Sequence, residues 1–335
     1  MRGYRQGWKA ESVTHPGDHA RYGPLAGHGG RSRIAFSFLT GVCMFSGAIT
    51  AMVTPFREGR LDENRLREQV EYQIKNGIDG LVPVGTTGES PTLDFKEHAR
   101  VLELTVQFAR GRVPVIAGVG ANATTEAIEL HQIAKRVGAT AGLSVNPYYN
   151  KPTQEGLYRH FMTLADRVDL PIVLYNIPSR TGVTMSAQTV ARLNEHKNIV
   201  AIKEATGSLD MASEIMSLCD ITVVSGDDSL TIPLMSIGAK GIISVASNLV
   251  AADIKTMTQA ALKGDFKQAQ DIHLRLFQFI RSLFLDGNPV GIKYAMKVAG
   301  LDTGELRLPL WEASDSTKKL IEQHLQKLGI ERRSL

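Results

Sequence analysis

The 335-residue chain has only two cysteines, Cys43 and Cys219. They form neither a CxxC pattern nor a metal-ligand spacing, which argues against a disulfide framework and suits a reducing compartment. Long apolar runs are missing as well: no stretch reaches the roughly 18 residues that a membrane-spanning helix needs. The nearest candidate, Ile34 to Cys43, is too short, although its basic upstream flank gives it a loose likeness to a signal or transit peptide. A strong charge of one sign is absent. The formal net charge of +4 is small for this length and comes partly from Arg2, Arg5, Lys9, Arg21, Arg31 and Arg33, which leaves no nucleic-acid footprint. No GxGxxG opens a helix, so dinucleotide binding has no support. No cluster of His, Cys and carboxylates has ligand spacing, so a metal site is not supported.

What is present is ordinary globular composition, 43% hydrophobic and 21% charged residues with the two signs mixed. Residues 1–43 are rich in Gly, Arg and His and show no periodicity, and Met44 immediately precedes the first strand-like run. Residues 1–43 are therefore expected to be a disordered or spurious extension. Cytoplasm is the expected location, with a plastid as the alternative if that extension is a transit segment.

From Gly47 onward, short β-branched or apolar runs alternate with helical patterns, which implies right-handed βαβ units and a parallel sheet. Eight strands are predicted: 47–55, 80–85, 113–120, 141–147, 171–178, 198–205, 221–228 and 241–247. Helices are predicted between and after them at 63–76, 96–110, 125–137, 155–167, 187–196, 209–218, 230–237 and 252–263. Asp94 with Glu97 reads as a capping box, and Gly77, Gly111 and Gly138 fall where helices should stop. Eight strand–helix units are the count of a (β/α)8 TIM barrel; a doubly wound open sheet would need a reversal of strand order. Further helical patterns at 266–284, 290–298 and 316–328 predict a C-terminal helical extension. With no Pro/Ser-rich linker, 44–265 is expected to be the catalytic barrel and 266–335 to pack against it.

In such a barrel the chemistry gathers at the carboxyl ends of the strands. There the sequence places Thr86, Thr87, Asn122, Tyr148, Tyr149, Tyr175, Arg180, Lys203, Asp227 and Asp228, among others. In NIVAIKEA, Ile199, Ala201 and Lys203 share one face of a strand and Val200, Ile202 and Glu204 the other. A lysine turned into the barrel is partly desolvated, which favours the neutral amine that attacks carbonyls and forms Schiff bases. The plainer alternative is a lysine that snorkels to solvent or pairs with Glu204. GTTGES (85–90) offers two hydroxyls and backbone N–H groups to a carboxylate, although such glycine-flanked threonines also make ordinary turns. Tyr148, Tyr149 and Tyr175 can relay protons, or the adjacent pair can pack between subunits; Arg180 can grip a carboxylate with two hydrogen bonds. Asp227 and Asp228 are expected to cap the helix that follows, and His98, His131 and His160 to be surface or packing residues.

GTTGES, NPYYNKP, LYNIPSRTG, IKEATG and SGDD, in this order and spacing, resemble the dihydrodipicolinate synthase family over about residues 44–330. The wider superfamily of pyruvate-dependent aldolases includes N-acetylneuraminate lyase and sugar-acid aldolases, and the arginine of SRTG narrows the likeness to the synthases. The resemblance implies condensation of pyruvate with L-aspartate 4-semialdehyde on the diaminopimelate route to lysine, with a covalent pyruvate imine on Lys203 and no other cofactor. It implies a proton relay of Thr87, Tyr149 and Tyr175, with Tyr149 entering a neighbouring subunit's site. Thr86 would help to bind the pyruvate carboxylate, Arg180 the semialdehyde's carboxylate, and backbone groups of Gly226 and Ile243 would border the lysine. A homotetramer built as a dimer of dimers is implied. So is an allosteric lysine site at Ser90, Pro91, Phe95, His98, Asn122, Glu126 and Tyr148. Phe95 and Asn146 depart from residues usual there, a histidine and a threonine. A sugar-acid lyase on the same barrel, and a non-catalytic keto-acid sensor, are the competing expectations.

Overall fold

A computed structural model describes residues 45–333. The expected extension over 1–43, together with Met44, lies outside the described residues. Eight short strands form the centre of the molecule: β1 (Gly47–Ala51), β2 (Gly80–Val82), β3 (Ile116–Gly118), β4 (Ala141–Val145), β5 (Ile172–Asn176), β6 (Ile199–Glu204), β7 (Thr222–Ser225) and β8 (Gly241–Ser244). Every pairing among them is parallel, in the order β2-β1-β8-β7-β6-β5-β4-β3. A parallel bridge between Leu81 and Val115 joins the two ends of that order, so the sheet closes on itself as a barrel.

Helices fill the connections: α1 (Glu63–Lys75), α2 (Phe95–Ala109), α3 (Thr124–Val137), α4 (Gln154–Arg167), α5 (Pro178–Thr181), α6 (Ala187–Asn194), α7 (Leu209–Leu218), α8 (Thr231–Ser236) and α9 (Ser247–Leu262). Their starts follow local chemistry. The Asp94 side chain accepts from the N–H groups of Lys96 and Glu97 while Glu97 reaches back to the Asp94 N–H, the capping box that the spacing predicts. Gly138 ends α3 in the left-handed region at φ 86°, where a side chain would be strained.

Strand alternation sorts the core into two layers. Inside the barrel, Ile49, Val82, Ile116, Leu143, Val173, Ala201, Val224 and Ile243 pack together. Outside it, Leu81, Leu174, Ile202, Val223 and Ile242 meet helix residues such as Leu157, Phe161 and Ile254. Deleting one of the larger of these, as in Phe161→Ala, costs about 3–5 kcal/mol by the usual scale of core truncation.

All eight predicted strands are present, but the ladders stop short of several predicted carboxyl ends: 80–82 rather than 80–85, 116–118 rather than 113–120, and 222–225 rather than 221–228. Beyond those points the chain leaves the sheet to form loops, as at Val84, whose φ of 56° no strand residue adopts. The last barrel helix starts at Ser247, earlier than its predicted 252, and carries a non-helical kink at Val250. The three predicted helices of the extension are α10 (Phe266–Ser282), α11 (Val290–Val298) and α12 (Asp315–Lys327). α10 packs on α9, and α12 on α10 and α11; α11 also touches α9. Among the described residues no helix is long and apolar enough to cross a membrane.

Candidate active site

β6 delivers Lys203 to the barrel interior. Ala201 and Lys203 lie on the inward face while Ile202 faces the helices, so the alternation predicted from the sequence holds. The lysine is only 5% exposed, so it does not snorkel to solvent. Glu204 points the other way, accepting from the Thr206 N–H at 2.7 Å and from Asn176 Nδ2 at 3.3 Å, and burial pushes its carboxyl above the ordinary range. Tyr175, on β5, stands directly beside Lys203 in the ladder, and its ring centroid lies 4.3 Å from the lysine Nζ. On the other side, a methyl group built on Gly226 would lie 3.0 Å from Lys203 Cε and 2.6 Å from Ala205 Cβ. Glycine is thus the residue that lets the β7 turn approach the lysine this closely. Ile243, fully buried on β8, belongs to the same interior layer.

A cleft of about 240 Å3 opens at this end of the barrel. Thr86, Tyr175, Arg180 and Tyr148 present polar groups to it, and Val84, Val119, Leu143 and Val145 give it an apolar wall. Thr87 is buried beside it and accepts a hydrogen bond from Asn288 Nδ2 at 2.9 Å. Arg180 lies exposed on α5 and donates to Asn288 O at 3.1 Å. The cleft thus carries a phenol, a threonine hydroxyl and a guanidinium, and the Lys203 amine lies buried behind it against the Tyr175 ring. An amine shielded from water can add to a carbonyl, a phenol can carry the proton, and a guanidinium can hold a carboxylate.

The loop behind Thr86 and Thr87 is tightly folded. Val84, a β-branched residue with φ 56°, and Glu89, with φ 55°, both occupy the left-handed region. A methyl group on Gly118 would meet Val84 O at 2.3 Å, so β3 backs the loop at backbone contact.

The acidic pair after β7 behaves differently from expectation. Asp227 makes no side-chain cap. Asp228, fully buried, accepts from Ser244 Oγ and from the N–H groups of Val245, at 2.9 Å, and Ala246, at 3.3 Å, and so braces the chain that enters α9 rather than its own helix. A 3-10 turn over Asp228–Leu230 directs the carboxylate inward, away from α8. Burial pushes both acids up, while the charge of Lys203 acts in the opposite sense. The histidines are packing residues: His98, His131 and His160 are all buried, and burial holds His131 and His160 down to about 4. Among the described residues no three His, Cys, Asp or Glu side chains gather as a metal-ligand set.

A profile of the dihydrodipicolinate synthetase family matches residues 44–328. The chain belongs to that family. It is 53% identical over 289 residues to the 4-hydroxy-tetrahydrodipicolinate synthase of Pelobacter propionicus, covering 86% of this chain and all of the relative. The dihydrodipicolinate synthase of Aquifex aeolicus superposes with a TM-score of 0.85 at 47% identity, covering 87% of this chain and all of that one. The chloride-inhibited dihydrodipicolinate synthase of Acinetobacter baumannii, solved in complex with pyruvate, superposes with a TM-score of 0.83 at 42% identity, covering 85% and 99% of the two chains.

Within this dihydrodipicolinate synthetase family chain, Lys203, Tyr175, Thr86, Thr87, Arg180, Gly226 and Ile243 converge on one end of the barrel. Tyr149 does not: it is 90% exposed, sits at a φ of 72° and is not among the residues that line the cleft. Of the expected allosteric residues, Ser90, Pro91 and Tyr148 line the rim of the cleft. Phe95 and Glu126 are exposed, and burial together with the negative charge of Glu126 raises the Tyr148 phenol. His98 faces inward, its Nε2 2.8 Å from Gly118 O. Asn146 donates from Nδ2 to Asn176 Oδ1 at 3.2 Å and extends the Asn176–Glu204 contact along three strand ends. Asn288 and Lys293 escaped the sequence reading. They lie beyond the eighth unit, in a segment whose only legible signal was a helical period.

Proposed function

We propose that this protein is a 4-hydroxy-tetrahydrodipicolinate synthase, joining pyruvate to L-aspartate 4-semialdehyde through an imine on Lys203. The observation that carries the reading is the placement of Lys203: buried at the carboxyl end of β6, paired in register with Tyr175, with its Nζ 4.3 Å from the phenol ring centroid. The amine of Lys203 attacks C2 of pyruvate, and Tyr175 supplies and accepts the protons as water leaves and the imine forms. Loss of a proton from C3 gives the enamine, whose carbon attacks the aldehyde of the second substrate. The substrate's own amino group then attacks C2 and releases Lys203, so the balance is two substrates in, one cyclic dicarboxylic imine and one water out.

Thr86 and the backbone of the 85–90 loop receive the pyruvate carboxylate, and Arg180 receives the carboxylate of the semialdehyde. Arg180 favours this reading over a sugar-acid lyase, since a polyhydroxylated chain calls for neutral hydrogen-bonding groups rather than a fixed cation. The exposure of Tyr149 supports its entry into a neighbouring subunit's site, completing the relay with Thr87 and Tyr175 in a homotetramer built as a dimer of dimers. Lysine as an effector would sit against Tyr148, Asn122 and Glu126 at that same edge. The free Cys219 suits the reducing cytoplasm.

Borohydride reduction in the presence of pyruvate tests the proposal. A mass increment at Lys203, together with turnover of aspartate semialdehyde, is expected. Failure to label Lys203 at saturating pyruvate would falsify the assignment and favour a sensor.

A further inference from the structure

α11 belongs to the C-terminal extension, yet the segment that carries it holds the threonine loop at two points. Just before the helix, Asn288 donates to Thr87 Oγ1. One turn into it, Lys293 reaches Glu89, and both side chains are completely buried. The Lys293 ammonium also donates to Glu305 O at 2.6 Å, and it lies 4.4 Å from the Phe56 ring centroid. The second carboxylate oxygen of Glu89 accepts from the Arg307 N–H at 3.1 Å.

Such a pair is a poor way to stabilise a fold, because desolvating the two charges offsets most of their attraction. Its effect here is geometric. Glu89 sits at φ 55°, a conformation that a glutamate holds only when its surroundings impose it. The turn it belongs to is tied to it through the backbone: the Glu89 N–H donates to Thr86 O, and the N–H groups of Gly88 and Ser90 donate to Gly85 O. Whatever fixes Glu89 therefore fixes the turn that presents Thr86 and Thr87.

We propose that Glu89 and Lys293 are positioning residues, a buried ion-pair clamp through which the C-terminal extension holds the 85–90 loop in the geometry that receives the keto-acid carboxylate. The proposal rests on the function proposed above. It implies that the extension is part of the catalytic apparatus rather than an ornament on the barrel.

The test is borohydride trapping at Lys203 over a pyruvate series in the full-length protein, for Glu89→Gln, Lys293→Met and the double variant, with melting temperatures recorded alongside. Displacing the carboxylate site by a few tenths of an ångström to 1 Å should raise the half-saturating pyruvate concentration about 10-fold or more in Lys293→Met, and about 3-fold in the isosteric Glu89→Gln. The maximal trapping rate should change much less. The double variant should be no worse than Lys293→Met, since the contact is already lost. Half-saturation within about twofold of the unmodified protein in every variant that folds, with only the melting temperature lowered, overturns the clamp. Should Lys293→Met fail to fold, Glu89→Gln, which keeps the shape and the Arg307 contact, decides by the same criterion. Absence of trapping in the unmodified protein would instead refute the proposed function, so the two failures are distinguishable.

Discussion

Gly226→Ala adds one methyl group at the most crowded point of the site. The added carbon would lie 2.6 Å from Ala205 Cβ, 3.0 Å from Lys203 Cε and 3.2 Å from Glu204 O. Unbonded carbons settle at about 3.5 Å or more, so the overlaps are about 0.9 Å and 0.5 Å. Ala205 cannot rotate its methyl away, because that carbon is fixed to the backbone directly after β6. The strain must be relieved by the turn around Gly226 or by Lys203, whose flexible chain gives first. A displacement of this size in a packed interior costs about 1–3 kcal/mol. On a chain of this length it lowers the melting temperature by roughly 2–4 °C per kcal/mol. For the chemistry, a misplacement approaching 1 Å slows attack on the carbonyl by up to about 100-fold. The assay is the initial rate of borohydride-trapped adduct at Lys203 under saturating pyruvate, read by mass spectrometry. Gly264→Ala is the control: a methyl there meets nothing within 4 Å, and only its left-handed φ of 82° is penalised. The control should lose stability and keep the adduct rate. A Gly226→Ala protein that forms adduct at the unmodified rate would refute the packing argument and the placement of Lys203 on which it depends.

Replacing Lys203 with Arg keeps the charge but removes the nucleophile, and turnover should fall by at least about 1,000-fold with no trapped adduct. Arg180→Ala should leave pyruvate trapping unchanged while the KM for aspartate semialdehyde rises about 10- to 100-fold, the worth of a charge-assisted hydrogen bond; an unchanged KM would point to the sugar-acid alternative. Tyr149→Phe should shift the melting temperature little, since the side chain is 90% exposed, yet lower kcat by about 100-fold or more if it serves a neighbouring site. His131 and His160 are held down to about 4 by burial, against the ordinary value of 6.5. The unfolded chain takes up those protons between pH 6.5 and 4 and the folded chain does not, so stability falls as pH drops through that window and is fully present above it. At about 1.36 kcal/mol per unit, each histidine contributes up to about 3 kcal/mol of that loss by pH 4. Urea midpoints from pH 7 to 4.5 should therefore decline less steeply for His131→Asn than for the unmodified protein, and equal slopes would contradict the argument.

The barrel was legible because its cause is local. Each strand is a short apolar run, each helix a 3.6-residue pattern with its own cap, and the alternation of the two leaves few architectures open. Lys203 was legible for the same reason, since period-two alternation put it on the face of Ala201. Contacts between distant parts of the chain could not be read that way. Asn288 meets Thr87 across 201 residues and Lys293 meets Glu89 across 204, and neither spacing leaves a periodic trace. The carboxylate of Asp228 was misassigned because a local cap is the commoner use of such a residue, and only the closed barrel brings the end of β8 within its reach.

The strained residues sharpen where local reasoning fails. Among the described residues, six that are not glycine have positive φ: Glu58, Val84, Glu89, Arg110, Tyr149 and Lys151. Glu58 is at a hairpin tip and Arg110 caps α2, but the other four lie in the two loops that carry Thr86, Thr87, Tyr148 and Tyr149. Propensity opposes a valine or a glutamate at such angles by about 1 kcal/mol or more each, so a sequence read by propensity extends the second strand through Val84 and misses the loop. What holds these residues in place is tertiary: the backbone of β3 against Val84 and the Lys293 ammonium against Glu89. The two loops that carry these threonines and tyrosines are thus the parts least determined by their own sequence. It follows that loosening the extension should disturb pyruvate binding before it disturbs the barrel.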